Sequence, residues 1–205
     1  MKDKIINYNF FHWGPFLYKA TLTKEEIHSI KKLCKRKKSE DCRKKLAGII
    51  KHEYNIDTKK MFPIIFPYID SYIEALYNHY RQTIGNKIKL MSAWVNYMTK
   101  FESNPIHTHD GDLSFVLFTQ VPKKLKKEYN EKIDNHIGNA RPGNINFLYT
   151  LHHDYQNKQL INQHTFFPVV GDFFIFPACL NHYVNSFTCS GERISVAGNI
   201  NITYG

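Results

Sequence analysis

The sequence predicts an α+β protein, helices first and antiparallel strands after, on two observations. Up to Gly85 the apolar residues recur at helical spacing, and beyond it the period changes to two through six β-rich stretches divided by turns. A chain of 205 residues, 42% of them hydrophobic, is long enough to bury a sizeable core. Residues 1–205 therefore read as a single domain, with a mostly helical part over 1–85 and a β-rich core over 86–205. The helices are expected to pack on one face of a sheet or rolled barrel.

The elements follow in order. TLTKEEIHSIKKLC puts Thr23 at an N-cap position with Glu26 three residues later, then Ile27, Ile30 and Leu33 on one face, predicting a helix over about 24–37. Ser39, Glu40 and Asp41 open a second, short helical pattern through Leu46, Ile49 and Ile50. Pro63 and Pro67 read as a loop. After them Ile69, Tyr72, Ile73, Leu76, Tyr77 and Tyr80 mark a third helix that stops at Gly85, its aromatic stripe reading as core. The stretches KLMSAWVNYMTKF, LSFVLFTQV, NINFLYTL, DFFIFPA, HYVNSF and RISVAGNINITYG are strands. A lysine-rich insertion over about 123–143 reads as a surface loop between two of them.

The formal net charge of +10 suits an acidic partner, but the surplus sits in KKLCKRKK and KKLKKEY, beside helix-like sequence. Those runs read as solvated helix faces, so nucleic acid is not indicated as a partner. Cys34, Cys42, Cys179 and Cys189 form no CxxC pair and no zinc-ribbon spacing, so neither a structural zinc site nor a disulfide framework is indicated and a reducing compartment fits. No stretch has the length and apolarity of a membrane span, and the N-terminus lacks a leader pattern. A soluble, intracellular, cytoplasmic protein with no membrane partner is the expectation.

NPIHTHDGDLSFVLF concentrates metal-grade side chains at the mouth of a strand. In an extended segment His107 and His109 point to one side and can chelate one ion. GDFFIFPACLNHYVNSF offers His182 as a remote third ligand, and two near ligands with a distant one make a facial triad that leaves coordination positions open. His136, His152, His153 and His164 are the alternatives; His152 and His153 would face opposite ways on a strand and read as ordinary surface residues. In GERISVAGN, Arg193 lies eleven residues beyond His182, with Ser195 on its own strand face. A guanidinium beside a metal is suited to gripping a carboxylate in two places, with a hydroxyl adding a hydrogen bond.

In the order WVNYM, NPIHTHDGDLSFVLF, GDFFIFPACLNHYV and ERISVAGNI, the chain from about residue 94 to 202 resembles the 2-oxoglutarate- and iron(II)-dependent dioxygenases. Among them it resembles an oxygenase group seen in phages, large viruses and microbes. The resemblance implies a double-stranded β-helix, or jelly-roll, core. It implies Fe(II) and 2-oxoglutarate as cofactors, with O2 as co-reactant and hydroxylation of a C–H bond as the reaction. His182 would be the distal iron ligand, and Arg193 with Ser195 would hold 2-oxoglutarate. Asn96, which shares a strand face with Trp94 and Met98, would add a polar contact. The family pattern has a histidine and a carboxylate two apart, whereas the residue two after His107 is His109. The first set is His107, His109 and His182, with Asp112 as alternative middle ligand and Asp110 behind it. Two other readings compete: a cupin-like three-histidine metalloprotein that does not use 2-oxoglutarate, and a basic nucleic-acid-binding module with a degenerate site. No residue selects the substrate among a peptidyl residue, a nucleobase and a small metabolite.

Overall fold

The computed structural model describes residues 6–12, 14–81, 85–134, 141–149 and 163–203. In chain order the elements are β1 (Tyr8–His12), β2 (Phe16–Thr21), α1 (Lys24–Leu33), two 3-10 turns (Lys38–Glu40 and Arg43–Lys45), β3 (Glu53–Asn55) and α2 (Thr58–Tyr80). They continue with β4 (Lys87–Met98), β5 (Asn104–His107), β6 (Leu113–Gln120), α3 (Lys123–Asp134), β7 (Ile145–Leu148), β8 (Gln163–Phe166), β9 (Asp172–Pro177), β10 (Asn181–Val184) and β11 (Arg193–Thr203).

Antiparallel pairing joins the strands into a seven-stranded sheet, ordered β1-β2-β9-β6-β11-β4-β3, and a four-stranded sheet, ordered β5-β10-β7-β8. The larger sheet is buried on both faces, which is why LSFVLFT reads as an almost unbroken apolar run rather than an alternating one. Phe115 and Leu117 of β6 join Met61, Ile65, Tyr68 and Ile69 of α2 in one core layer. Val116 and Phe118 join Phe147, Phe174 and Val184 in a second layer between the two sheets. Helices α1 and α2 cover one face and the small sheet covers the other, the layered jelly-roll arrangement expected of the sequence.

All six predicted strands are present, with β4 and β10 beginning just before their stretches, at Lys87 and Asn181. The N-terminal part is less helical than its periodicity suggests, because it also supplies β1, β2 and β3. Helix α1 begins as predicted, with Thr23 Oγ1 accepting from Glu26 N (3.2 Å) and Glu26 accepting from Thr23 N (2.9 Å), but ends at Leu33 rather than near residue 37. The second helical pattern forms only 3-10 turns, since bridges from Asp41 to Tyr54 and from Ile49 to Ser103 tie this segment to sheet edges instead.

Pro63 and Pro67 lie inside α2, not in a loop. Interior prolines cost about 3 kcal/mol or more; burial of Met61, Ile65, Tyr68, Ile69, Tyr72 and Ala75 along one face offsets it. The Asp57 side chain caps the helix start by accepting from Lys59 N (3.0 Å), and Arg81, at φ 58°, ends it before Gly85. The basic insertion opens with a helix rather than a loop: Leu125 and Glu128 of α3 are buried, and Glu128 accepts from the backbone N–H groups of Thr188 and Cys189. Its residues 135–140, with His136, lie outside the described residues, as do His152 and His153.

Candidate metal centre

Strand pairing builds the centre. In the register of β5 and β10, His182 lies opposite His107, so the remote histidine arrives as a cross-strand neighbour of the first. His109 follows two residues later in the turn that enters β6, its N–H donating to Ala178 O (2.9 Å). That turn needs Gly111: its φ is 94°, and a Cβ there would lie 2.9 Å from Asn201 Oδ1 and 3.0 Å from Ile200 O. One ligand atom from each of His107, His109 and His182 lies within 4.8 Å of the others, and this is the only such cluster of metal-grade side chains among the described residues.

The tautomers follow from the backbone. His182 Nδ1 lies 2.9 Å from Leu180 O and His107 Nδ1 lies 2.7 Å from Pro105 O. A carbonyl only accepts, so both Nδ1 atoms carry hydrogen and both Nε2 atoms present a lone pair to an ion. His109 Nε2 lies 3.1 Å from His182 Nε2. Burial pushes the His109 and His182 imidazoles down to about 4 and about 3, with neighbouring histidines adding to the effect, and burial also lowers His107. All three are therefore neutral at pH 7, the form that ligates metals. Trp94 packs against His109 and Phe176 against His182, with ring centroids 5.5 and 4.9 Å apart.

The predicted carboxylates point elsewhere. Asp112 Oδ2 accepts from Ile202 N (2.7 Å), its N–H donates to Ile200 O and its carbonyl accepts from Ala178 N, so Asp112 fastens the turn to β11 and β9. Asp110 is exposed. Neither joins the histidine cluster. His164 lies on β8, also apart from it.

Arg193, Ser195 and Asn96 line one narrow cavity of about 30 Å³ with the three histidines. Antiparallel register sets Ser195 opposite Asn96, and Asn96 Nδ2 donates to Ser195 Oγ at 3.5 Å. Arg193 is 2% exposed and has no carboxylate partner among the described residues. Its Nη1 donates to Met98 Sδ (3.3 Å), its guanidinium carbon lies 4.6 Å from the Phe118 ring centroid, and Nε and Nη2 have no partner. Burial pushes it down to about 9. An unpaired buried cation costs several kcal/mol, so these two donors are poised for an anion, and a carboxylate fits them in two places. A dicarboxylate enters only as the lining side chains move apart. Asn104, which the sequence reading passed over, lines the same cavity with an unpartnered Oδ1; it opens the NPIH stretch, and Pro105 holds it extended.

Three histidines on one side would hold a divalent ion and leave it open to a cosubstrate anion. Three neutral imidazoles leave the full charge of a divalent ion uncompensated, and a chelating dianion would supply the missing negative charge.

Comparison with known proteins agrees in outline. The model of a family described as "Putative 2OG-Fe(II) oxygenase" matches residues 92–199, which contain the triad, Arg193, Ser195 and Asn96. The fold is similar to a prolyl-4-hydroxylase from Pseudomonas putida, at TM-score 0.55 and 12% identity, covering 91% of this chain and 92% of that one. It is also similar to the viral collagen prolyl hydroxylase of Paramecium Bursaria Chlorella virus-1 in its 2-oxoglutarate complex, at TM-score 0.53 and 12% identity, covering 93% and 98%. HygX from Streptomyces hygroscopicus, crystallised with nickel, 2-oxoglutarate and hygromycin B, superposes at TM-score 0.51 and 10% identity, covering 93% and 83%. No curated protein sequence matches the chain.

Proposed function

Since the chain belongs to the 2OG-Fe(II) oxygenase family, whose cofactors are iron(II) and 2-oxoglutarate, we propose that it is a hydroxylase whose iron is held by His107, His109 and His182. The observation that carries this reading is Arg193, a buried guanidinium with two unpartnered donors in the same cavity as the histidines. A three-histidine metalloprotein that did not use 2-oxoglutarate would leave that cation without a purpose.

When bound, the iron and 2-oxoglutarate supply the oxidising chemistry: R–H, O2 and 2-oxoglutarate give R–OH, succinate and CO2, one oxygen atom entering the substrate and the other succinate. The chain's residues bind, orient and exclude water. Nδ1–H donation from His107 and His182 to backbone carbonyls fixes both rings with Nε2 presenting its lone pair. Arg193 takes the distal carboxylate, with the Ser195 hydroxyl and the Asn96 amide beside it. Trp94 and Phe176 wall the histidines with apolar surface. Asp112 is a positioning residue, holding the turn that carries His109.

The test is anaerobic titration with Fe(II) and then 2-oxoglutarate, following the visible band that keto-acid chelation of iron produces. The band should appear in the parent protein and in Asp112→Asn, and vanish in His182→Ala and His109→Ala. A band that survives His109→Ala and disappears in Asp112→Asn would make the carboxylate the middle ligand. Iron binding without any band would overturn the use of 2-oxoglutarate.

A further inference from the structure

Two cavities meet at the histidines. One is the narrow cavity shared with Arg193; the other, of about 370 Å³, is bounded by His107, His109 and Trp94 together with the polar side chains Asn55 and Asn199 and, at its exposed side, Asp110. Cys42 and Lys45 line this second chamber and also an adjoining groove of about 970 Å³. If 2-oxoglutarate occupies the Arg193 side, the chamber and groove are the way in for the substrate.

The charge along the groove is one-sided. Of its cations, Arg43 is taken by Asp41, with Nη2 2.7 Å from Oδ2. Its other carboxylate, Glu102, is turned inward and accepts from the backbone N–H groups of Lys51 (2.9 Å) and Thr99 (2.6 Å). Lys44, Lys45, Lys51 and Lys100 remain, and none makes an ion pair among the described residues. Phe101 lies among them, 68% exposed, with the Lys100 ammonium 5.6 Å from its ring centroid. Its backbone is at φ 68°, a strained conformation for an aromatic residue, pinned by Phe101 N–H donating to Phe187 O (2.8 Å). The fold holds this ring out in solvent.

We propose that the substrate is a single-stranded nucleic acid, its phosphates along Lys44, Lys45, Lys51 and Lys100, one base stacked on Phe101 and the reacting nucleotide in the chamber beside His107 and His109. This rests on the hydroxylase reading for the chemistry, and the balance is unchanged, with the C–H bond that receives oxygen belonging to the nucleotide. Unpaired lysines that track a backbone beside an exposed aromatic platform are the means by which proteins hold single strands. The strand must be single because a base inside a duplex stack cannot enter a chamber adjoining the groove. An acidic polypeptide would also suit the lysines, but it leaves the exposed ring unexplained.

Anisotropy of a labelled 20-nucleotide oligo(dT) tests binding with neither iron nor 2-oxoglutarate present, and succinate release with both present tests turnover in parallel. Four phosphate contacts predict a slope of log affinity against log salt of about −3, and Lys44→Gln or Lys45→Gln should each make it shallower by about 0.7. Phe101→Ala should weaken binding about five-fold or more with the slope unchanged, and Phe101→Trp should retain it. Lys123→Gln, outside the groove, should change neither. Oligo(dT) should stimulate succinate release, and Phe101→Ala should remove the stimulation. Basal succinate release without oligonucleotide binding would overturn this inference and leave the hydroxylase reading standing. Binding with no succinate released under any condition would overturn the hydroxylase reading and, with it, the assignment of nucleic acid as substrate. Displacement by poly-glutamate with Phe101→Ala indistinguishable from the parent would replace nucleic acid by an acidic polypeptide.

Discussion

On β4 and β11 neighbouring residues serve opposite layers. Val95, Tyr97, Val196 and Ile200 face the helices in a layer of apolar side chains and tyrosines, two of which, Tyr18 and Tyr68, give their hydroxyls to Ser71 and Glu26. Trp94, Asn96, Arg193 and Ser195, one residue out of step, face the four-stranded sheet and the cavity. The unpartnered buried atoms of Glu53, Asn96, Asn104 and Arg193 have no counterpart in the helix-facing layer. A buried polar group without a partner costs about 1–3 kcal/mol, and more when charged. The same strands thus stabilise the fold on one face and tolerate unmet polar groups on the other, where a ligand can meet them.

The sharpest way to break this comparison is Arg193→Met. If the guanidinium waits for a carboxylate, apparent 2-oxoglutarate affinity should fall roughly 10²–10³-fold, the size of losing one partner of a buried charge pair. Folding stability should hold or rise by about 1–4 kcal/mol, because an uncompensated buried cation has been replaced by an apolar chain. Chemical denaturation together with the anaerobic titration reads both. Unchanged cosubstrate affinity, or a marked loss of stability, would sink the idea.

Ile65→Ala is the mirror experiment on the other face. Ile65 is fully buried between α2 and the large sheet, so truncation should cost about 2–5 kcal/mol. At about 2–4 °C per kcal/mol for a chain of this size, a thermal melt resolves it easily. Iron affinity should be unchanged. If it falls in step with stability, the two faces are not independent.

Glu53 gives the comparison a pH dependence. It lies on β3 opposite Asn96, nearly fully buried, and burial with the nearby Glu102 pushes its carboxyl up to about 8. A raised carboxyl pKa means that the folded protein binds a proton the unfolded chain has released. Its contribution therefore falls as pH rises from about 4.5 to about 8 and is level beyond. The loss amounts to a few kcal/mol at most, since each unit is about 1.4 kcal/mol. Glu53→Gln should flatten stability between pH 5 and 8 and leave the parent less stable than the variant at pH 8. A parent curve with no such decline would show that the carboxyl is solvated.

How much of this was legible in the sequence depends on which force set each feature. The strand runs and the capping box were readable because local spacing determines them. His107, His182, Arg193 and Ser195 were readable as a group because strand alternation and the family resemblance both constrain them, and the register of β5 with β10 then brought the histidines together. The run through α2 reads as a loop before a helix because a proline normally ends a helix, and only the packing of its buried face against the sheet overrides that. Ile50 has helical spacing in the sequence, yet two backbone bridges hold its segment on the sheet edge and it lines the metal cavity. The unpaired state of Lys44 and Lys45 was equally hidden, since it depends on Asp41 being occupied by Arg43.

The smallest effect tests whether the helical layer is itself divisible. Thr23→Ala removes the hydroxyl that accepts from Glu26 N and should cost about 1 kcal/mol. Glu26 has a second task, because its Oε2 accepts from Tyr68 OH at 2.6 Å and so joins the start of α1 to α2. If capping and helix docking are separate, Thr23→Ala and Tyr68→Phe should lower stability additively. If Thr23 also holds the Glu26 carboxylate in place for Tyr68, the double variant should cost less than the two single changes together. Denaturant midpoints for the three variants decide between them, and a coupling of more than about 0.5 kcal/mol would make α1, α2 and their cap one cooperative unit lying entirely on the stabilising side of the sheet.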